Sequence, residues 1–299
     1  MLLVSCLAIL IGVLLGLLGG GGSILTVPVL VYLAEIPAKS AIVTSLIVVG
    51  STSIIATINH SRMGSVCWKT GAVFGSSGML GAYLGGRLTV YVPEALLLVL
   101  LGIVMLAASF SMILSKKQPE ESCKQLDDTP ICPTELPLFA ILLDGFFLGI
   151  ITGLVGVGGG FLLVPALTHL ASLPVHAAIG TSLCIITLQS TAGLFGHAGH
   201  INIDLEITVL VTILAIIGSF FGSKAAHYIP ASYLKTGFGY FVLILGSFLL
   251  YKEVNQEIIL QIQNLVEENQ QFIIGASSVI LFSFTYRIWV WLHTKKSKI

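Results

Sequence analysis

Met1 to Ala34 contains no charged side chain, and its length fits no simple membrane crossing. As one helix its 34 residues would run ~51 Å at ~1.5 Å per residue, against a hydrocarbon core about 30 Å thick. Two full crossings would need about 40 residues. The middle of the segment is Gly19-Gly20-Gly21-Gly22, the strongest interruption a helix meets short of proline. The expected structure is a helix, a glycine break, and a short second helix from about Ser23 to Leu33. Composition makes the same demand of the whole chain. Only 9% of the 299 residues are charged and 56% are hydrophobic, where soluble domains carry roughly 25% charge. With a mean hydropathy of +1.00, a water-soluble globule could not cover its surface, so an all-α, polytopic membrane protein is expected. Zero net charge and the lack of a basic stripe exclude nucleic acid as a partner. No Lys or Arg precedes Lys39, so the first helix is not expected to be a signal peptide and is expected to remain in the mature protein.

The glycine-broken segment occurs twice. A shift of 137 residues carries Gly12 onto Gly149, Gly16 onto Gly153, Gly21 and Gly22 onto Gly158 and Gly159, and Pro28 and Pro37 onto Pro165 and Pro174. It also carries Thr44-Ser45 onto Thr181-Ser182, His60 onto His197, Gly81 and Gly85 onto Gly218 and Gly222, and Tyr91 and Pro93 onto Tyr228 and Pro230. Matches in register that include Pro, His and Tyr mark a duplication. The expected organisation is a first transmembrane repeat over 1–114, a hydrophilic linker over 115–137, a second repeat over 138–252, and a surface helix with one more span over 253–299. If each glycine-broken segment is a hairpin, each copy crosses three times and the two copies are inverted. With the N-terminus outside, Arg62, Lys69, Lys116, Lys117, Lys124, Lys224, Lys235, Lys295, Lys296 and Lys298 then fall inside and Lys39, Arg87 and Lys252 outside, as the positive-inside bias prefers over a single span with the N-terminus inside.

Breaking a helix inside a bilayer leaves amides without partners, which is costly unless the break lines a cavity and the amides bind something. The start of the second half-helix offers free N–H donors and the positive end of a dipole, the makings of an anion site. The candidate binding residues are therefore Gly20, Gly21, Gly22 and Ser23, and Gly158, Gly159 and Gly160 in the second copy. Thr44, Ser45, Thr181 and Ser182 recur at the start of the next helix, where their hydroxyls either donate to a bound anion or bond back to the preceding turn. The spaced pairs Gly12/Gly16, Gly81/Gly85 and their counterparts read as close helix packing. Asp144, inside LFAILLDGFFLGI, is a candidate for proton coupling or an interfacial, snorkelling carboxylate. His60 and His197 close equivalent helices and read as coupling residues or as amphipathic end groups. No Cys, His or carboxylate spacing indicates a metal, and no motif calls for a cofactor. Cys123 and Cys132 share the linker and can pair only in an oxidising compartment.

The segments GGGGSILTVP and GVGGGFLLVP, the downstream AIVTS and AIGTS, and GAYLGGRL and GSFFGSKA ahead of Tyr-x-Pro resemble the TauE/SafE family of sulfite and sulfonate exporters. The resemblance covers about residues 1–252. It implies a multi-pass protein of the cytoplasmic membrane, embedded in lipid, that transports a sulfur-containing anion such as sulfite, thiosulfate or an organosulfonate. It carries over to the two glycine clusters with Pro28 and Pro165 and to the two Thr-Ser pairs. The extra C-terminal span departs from the usual eight-segment pattern. The expected function is a secondary transporter with a small anionic substrate and no enzyme activity. An anion channel using the same site is the close alternative, and a membrane-embedded enzyme lacks any nucleophile–base cluster in the sequence. The sequence does not specify an oligomeric state.

Overall fold

The computed structural model describes residues 2–18, 22–114, 132, 138–170, 173–199, 204–225 and 231–254. Gly19, Gly20 and Gly21, the linker apart from Cys132, and the expected surface helix and last span lie outside the described residues. The chain divides into a unit over Met1–Tyr251 and a second over Lys252–Ile299; nearly all of the second is outside the described residues.

The described secondary structure is entirely helical. The first copy forms α1 (Leu2–Leu18), α2 (Ser23–Tyr32), α3 (Ala38–Arg62), α4 (Trp68–Leu88) and α5 (Glu94–Leu114), with a short 3-10 turn at Thr89–Tyr91 before α5. The second forms α6 (Leu138–Val155), α7 (Gly160–Leu170), α8 (Val175–His197), α9 (Leu205–Ala225) and α10 (Ala231–Glu253). The 137-residue shift matches α1 to α6, α2 to α7, and so on to α10. Prolines fix several starts. Pro37 and Pro174 precede α3 and α8 with extended ψ of 141° and 147°, and Pro93 immediately precedes α5. A missing N–H and a fixed φ suit proline to a helix start. The break that the length of Met1–Ala34 requires lies between Leu18 and Ser23.

The spaced glycines bring helices into backbone contact. The Cα of Gly12 faces the carbonyl of Ala215 and that of Gly16 the carbonyl of Ser219, while Gly218 and Gly222 face the carbonyls of Ile9 and Val13. Residue numbers rise together on both sides, so α1 and α9 run parallel. The other pair repeats this contact for contact: Gly149 on Gly78, Gly153 on Ala82, Gly81 on Phe146 and Gly85 on Ile150, joining α6 to α4. Each contact maps onto its counterpart by the same 137-residue shift with the two halves exchanged, which is how a two-fold relation acts. Between α3 and α8 the numbers run oppositely. A β-carbon on Gly50 would stand 3.3 Å from Cβ of Ser190, and one on Gly193 3.3 Å from Cδ1 of Leu46. The equivalent helices α3 and α8 therefore pack antiparallel.

Apolar side chains fill the interior, among them Ile11, Leu15, Ile42, Leu46 and Met105 in one cluster and Val49, Phe74, Ile185 and Ile186 in another. Large apolar side chains also cover the outside. Val209, Ile213, Ile217 and Phe221 on α9, and Tyr240, Ile244 and Phe248 on α10, are exposed. Soluble proteins rarely expose continuous apolar faces of this kind, whereas a hydrocarbon solvent favours them. Among the described residues, three helices, Ala38–Arg62, Ala177–His197 and Leu205–Lys224, are long and apolar enough to cross a membrane.

Polar contacts fasten the helix ends. The amide of Ala38 donates to Glu94 Oε2 at 3.1 Å and Lys39 Nζ donates to the carbonyl of Val90 at 3.2 Å, tying the start of α3 to the start of α5. Cys132 forms a disulfide with Cys67, at a Cα–Cα distance of 5.6 Å, rather than with Cys123. Disulfides persist in oxidising compartments, whereas the positive-inside expectation places the loop between α3 and α4 in the cytoplasm.

Candidate functional site

The break between α6 and α7 consists of residues that can adopt a conformation closed to others. Gly156, Gly158 and Gly159 have φ of 72°, 68° and 66°, the left-handed region that glycine occupies without penalty. The amide of Gly156 closes α6 by donating to the carbonyl of Thr152 at 2.9 Å, the usual end of a helix on a left-handed glycine. The carbonyl of Gly156 accepts a hydrogen bond from Ser45 Oγ at 2.7 Å, so α3 fixes the turn in place. The amides of Leu162 and Leu163 both donate to the carbonyl of Gly159 at 2.9 Å and open α7. Among the described residues, no acceptor takes the amides of Val157, Gly158, Gly159 or Gly160. All four residues are buried. Successive amides around left-handed residues at a helix start make a concave set of donors suited to an anion.

The break lies where the two copies cross. A β-carbon on Gly158 would meet Val49 Cγ1 at 2.6 Å and Ile186 Cγ2 at 3.3 Å, and would stand 3.7 Å from Cβ of Ser23. Val49 and Ile186 are equivalent positions of α3 and α8, and Ser23 is the first residue of α2. The start of α2 in one copy and the break of the other are thus neighbours. Gly22, at the N-cap of α2, rests on the backbone of α1 near Ile11 and Leu15, so a side chain there has no room. Gly20 and Gly21 lie outside the described residues.

Three of the four Thr-Ser hydroxyls tie neighbouring elements together. Thr44 Oγ1 and Thr208 Oγ1 share a buried hydrogen bond of 3.1 Å between α3 and α9. Thr181 Oγ1 accepts from the amide of Cys67 at 3.0 Å, at the start of α4. Ser45 bonds to Gly156 as described, and Ser182 Oγ donates to the carbonyl of Ile179 at 2.8 Å within its own helix. Of these, Ser45 reaches the break directly. His60 and His197 are far from it, at the ends of α3 and α8. His60 Nδ1 is 3.2 Å from Ser65 Oγ. His197, 2% exposed, has Nδ1 2.8 Å from the carbonyl of Gly193, and its Nε2 has no partner among the described residues. Asp144 is 8% exposed and lies roughly three turns, about 16 Å, before the break along α6.

Two residues not singled out from the sequence face the break. A β-carbon on Gly159 would stand 2.6 Å from Thr152 Oγ1 and 3.7 Å from Gln189 Oε1. Thr152 Oγ1 donates to Gln189 Oε1 across 3.4 Å, beyond the usual range for a firm bond. Gln189 Nε2 is buried without a partner among the described residues, as are the hydroxyls of Thr26, Ser53 and Ser190. An unpaired buried donor costs about 1–3 kcal/mol. The signal for Gln189 was present in the sequence: it is a long polar side chain inside the apolar run LCIITLQS. No Lys or Arg is buried among the described residues, so the donors around the break are all neutral.

A helical bundle with an apolar outer face and a buried, donor-rich helix break is the architecture of a polytopic membrane transport protein. The profile of the sulfite exporter TauE/SafE family matches residues 4–249, and the chain belongs to that family. It is 30% identical over 246 residues to a probable membrane transporter protein of Xylella fastidiosa, covering 81% of this chain and 92% of the relative. It is 25% identical over 250 residues to the probable membrane transporter protein YdhB of Bacillus subtilis, covering 84% and 100%. With YunE of the same organism it shares 30% over 240 residues, covering 73% and 84%. No solved structure matches the chain. The family consists of membrane transporters, not enzymes.

Proposed function

We propose that the protein is a secondary transporter that moves a small sulfur-containing anion, such as sulfite, thiosulfate or an organosulfonate, across the cytoplasmic membrane. The observation that carries this reading is the break at Gly156–Gly160, whose amides find no acceptor among the described residues from Val157 onward and which meets Ser23 of the other copy. Gly158, Gly159 and Gly160 supply the donors. Gly22 and Ser23 face the break from the first copy; Gly20 and Gly21, expected beside them from the internal repeat, lie outside the described residues. Thr44, Ser45 and Thr181 keep the elements around the site in register, while the Ser182 hydroxyl bonds back into its own helix. The antiparallel course of α3 and α8 supports inverted repeats, in which rocking of one copy against the other exposes a central site to either side in turn. The sulfur chemistry of the substrate rests on the family to which the chain belongs.

Flux in proteoliposomes tests this directly. Sulfite or an organosulfonate is expected to move with a rate that saturates, and chloride at equal concentration is expected to neither move nor compete. Saturable chloride flux with no effect of sulfite or any sulfonate would contradict the proposal.

A further inference from the structure

We infer that Gln189 is a ligand-contacting, specificity-determining residue of this site, and that the site selects singly charged sulfur oxyanions over doubly charged ones. The inference rests on the reading of the glycine break as the substrate site and adds to it a recognition group and a charge class. Gln189 is fully buried in α8. Its carboxamide lies in a notch between α4 and the break, where two glycines leave room. A β-carbon on Gly78 would overlap Nε2, and one on Gly159 would stand 3.7 Å from Oε1. One end of the carboxamide has only the long 3.4 Å contact from Thr152, and the other has no partner among the described residues. Rotating the amide by half a turn exchanges the two ends without satisfying both. A leucine or methionine would fill the same space without a buried, unpaired amide. The group is therefore poised for a partner that arrives from outside the chain.

The same position in the first copy is Thr52, and its hydroxyl donates within its own helix, to the carbonyls of Val48 and Val49 at 2.8 and 3.0 Å. The opposite of Thr152 is Leu15. The Gln189–Thr152 pair thus belongs to the second copy, where the first has Thr52 and Leu15. The chemistry around the break is neutral: amide N–H donors, a hydroxyl, and a carboxamide that both donates and accepts. The cost of removing an ion from water rises with the square of its charge, and no buried Lys or Arg among the described residues offsets a second charge. Neutral donors are suited to a monoanion such as a sulfonate or hydrogen sulfite, and this charge class removes thiosulfate, a dianion at neutral pH, from the proposed substrates. In hydrogen sulfite, the carboxamide oxygen can also accept from the ligand's hydroxyl.

Methanesulfonate and sulfate are the probes, because they are similar in size and differ in charge. Purified wild-type protein is expected to gain thermal stability with millimolar methanesulfonate and not with sulfate at equal ionic strength. Gln189→Leu is expected to fold with an unchanged or higher Tm and to bind methanesulfonate at least tenfold more weakly. Equal stabilisation of the wild type by both anions overturns the charge class without any variant. A folded Gln189→Leu with wild-type affinity overturns the role of Gln189. If Gly159→Ala still loses methanesulfonate binding in that case, the break remains the site and only this inference falls. If both variants bind as the wild type does, the reading of the break falls with it.

Discussion

Gly149→Val is expected to lower the melting temperature of the purified protein by roughly 6 °C or more, and Gly149→Val combined with Gly153→Val to prevent recovery of folded protein. Both glycines of α6 face backbone carbonyls of α4, at Gly78 and Ala82. A side chain there meets main chain, which cannot rotate aside, so the helices must part. Overpacking costs about 1–3 kcal/mol even where side chains can move, and for a protein of this size each 1 kcal/mol shifts the Tm by about 2–4 °C. Gly237 of α10 is the control. A β-carbon added at Gly237 would have nothing within 4 Å, and Gly237→Ala removes a helix-interior glycine, a change of about 0.5–1 kcal/mol in favour of the fold. Thermal unfolding in detergent, with size-exclusion recovery, measures all three. An unchanged Tm for Gly149→Val would mean that α4 and α6 do not approach as described.

Gly159→Ala is expected to reduce transport at least tenfold while the protein remains folded. The substitution has two consequences that must be separated. A φ of 66° costs a non-glycine residue about 1–2 kcal/mol. The new methyl would also stand 2.6 Å from Thr152 Oγ1, a side-chain atom that can move, and would project into the notch beside the free amides. Gly64→Ala separates the two. Gly64 has a φ of 70° and nothing within 4 Å of an added β-carbon, so it carries similar backbone strain far from the break. Its variant is expected to lose a similar amount of stability and to transport normally. Equal transport by the two variants would remove the break from the substrate path.

The helices were legible because their boundaries follow from charge, proline and glycine. The break between α1 and α2 was forced by the length of an uncharged segment, and the short second helix ends at Tyr32, one residue before the expected Leu33. The spacing of Gly12/Gly16 and Gly81/Gly85 announced close packing but not the partner helix, because a stripe of small residues fits any facing backbone. Functional residues were harder to read from the repeat. Thr44 and Thr181 recur in both copies, and the structure engages them with Thr208 and the Cys67 amide. A duplicated fold retains residues for equivalent helix contacts as readily as for a ligand. The register comparison also hides Gln189, because it stands opposite Thr52 and breaks the repeat. The Cys67–Cys132 bond joins residues 65 apart in sequence, and their spacing alone does not announce the pairing.

The central claim is that the ligand binds at the crossing of the two copies, on the amides that begin α7. An experimental structure of the protein with bound methanesulfonate tests it most directly. The expected density lies against Gly158, Gly159 and Gly160, with Gln189 on one side and Ser23 on the other. Density beside Lys39 or Arg87 at the helix ends, with the break empty, would contradict it.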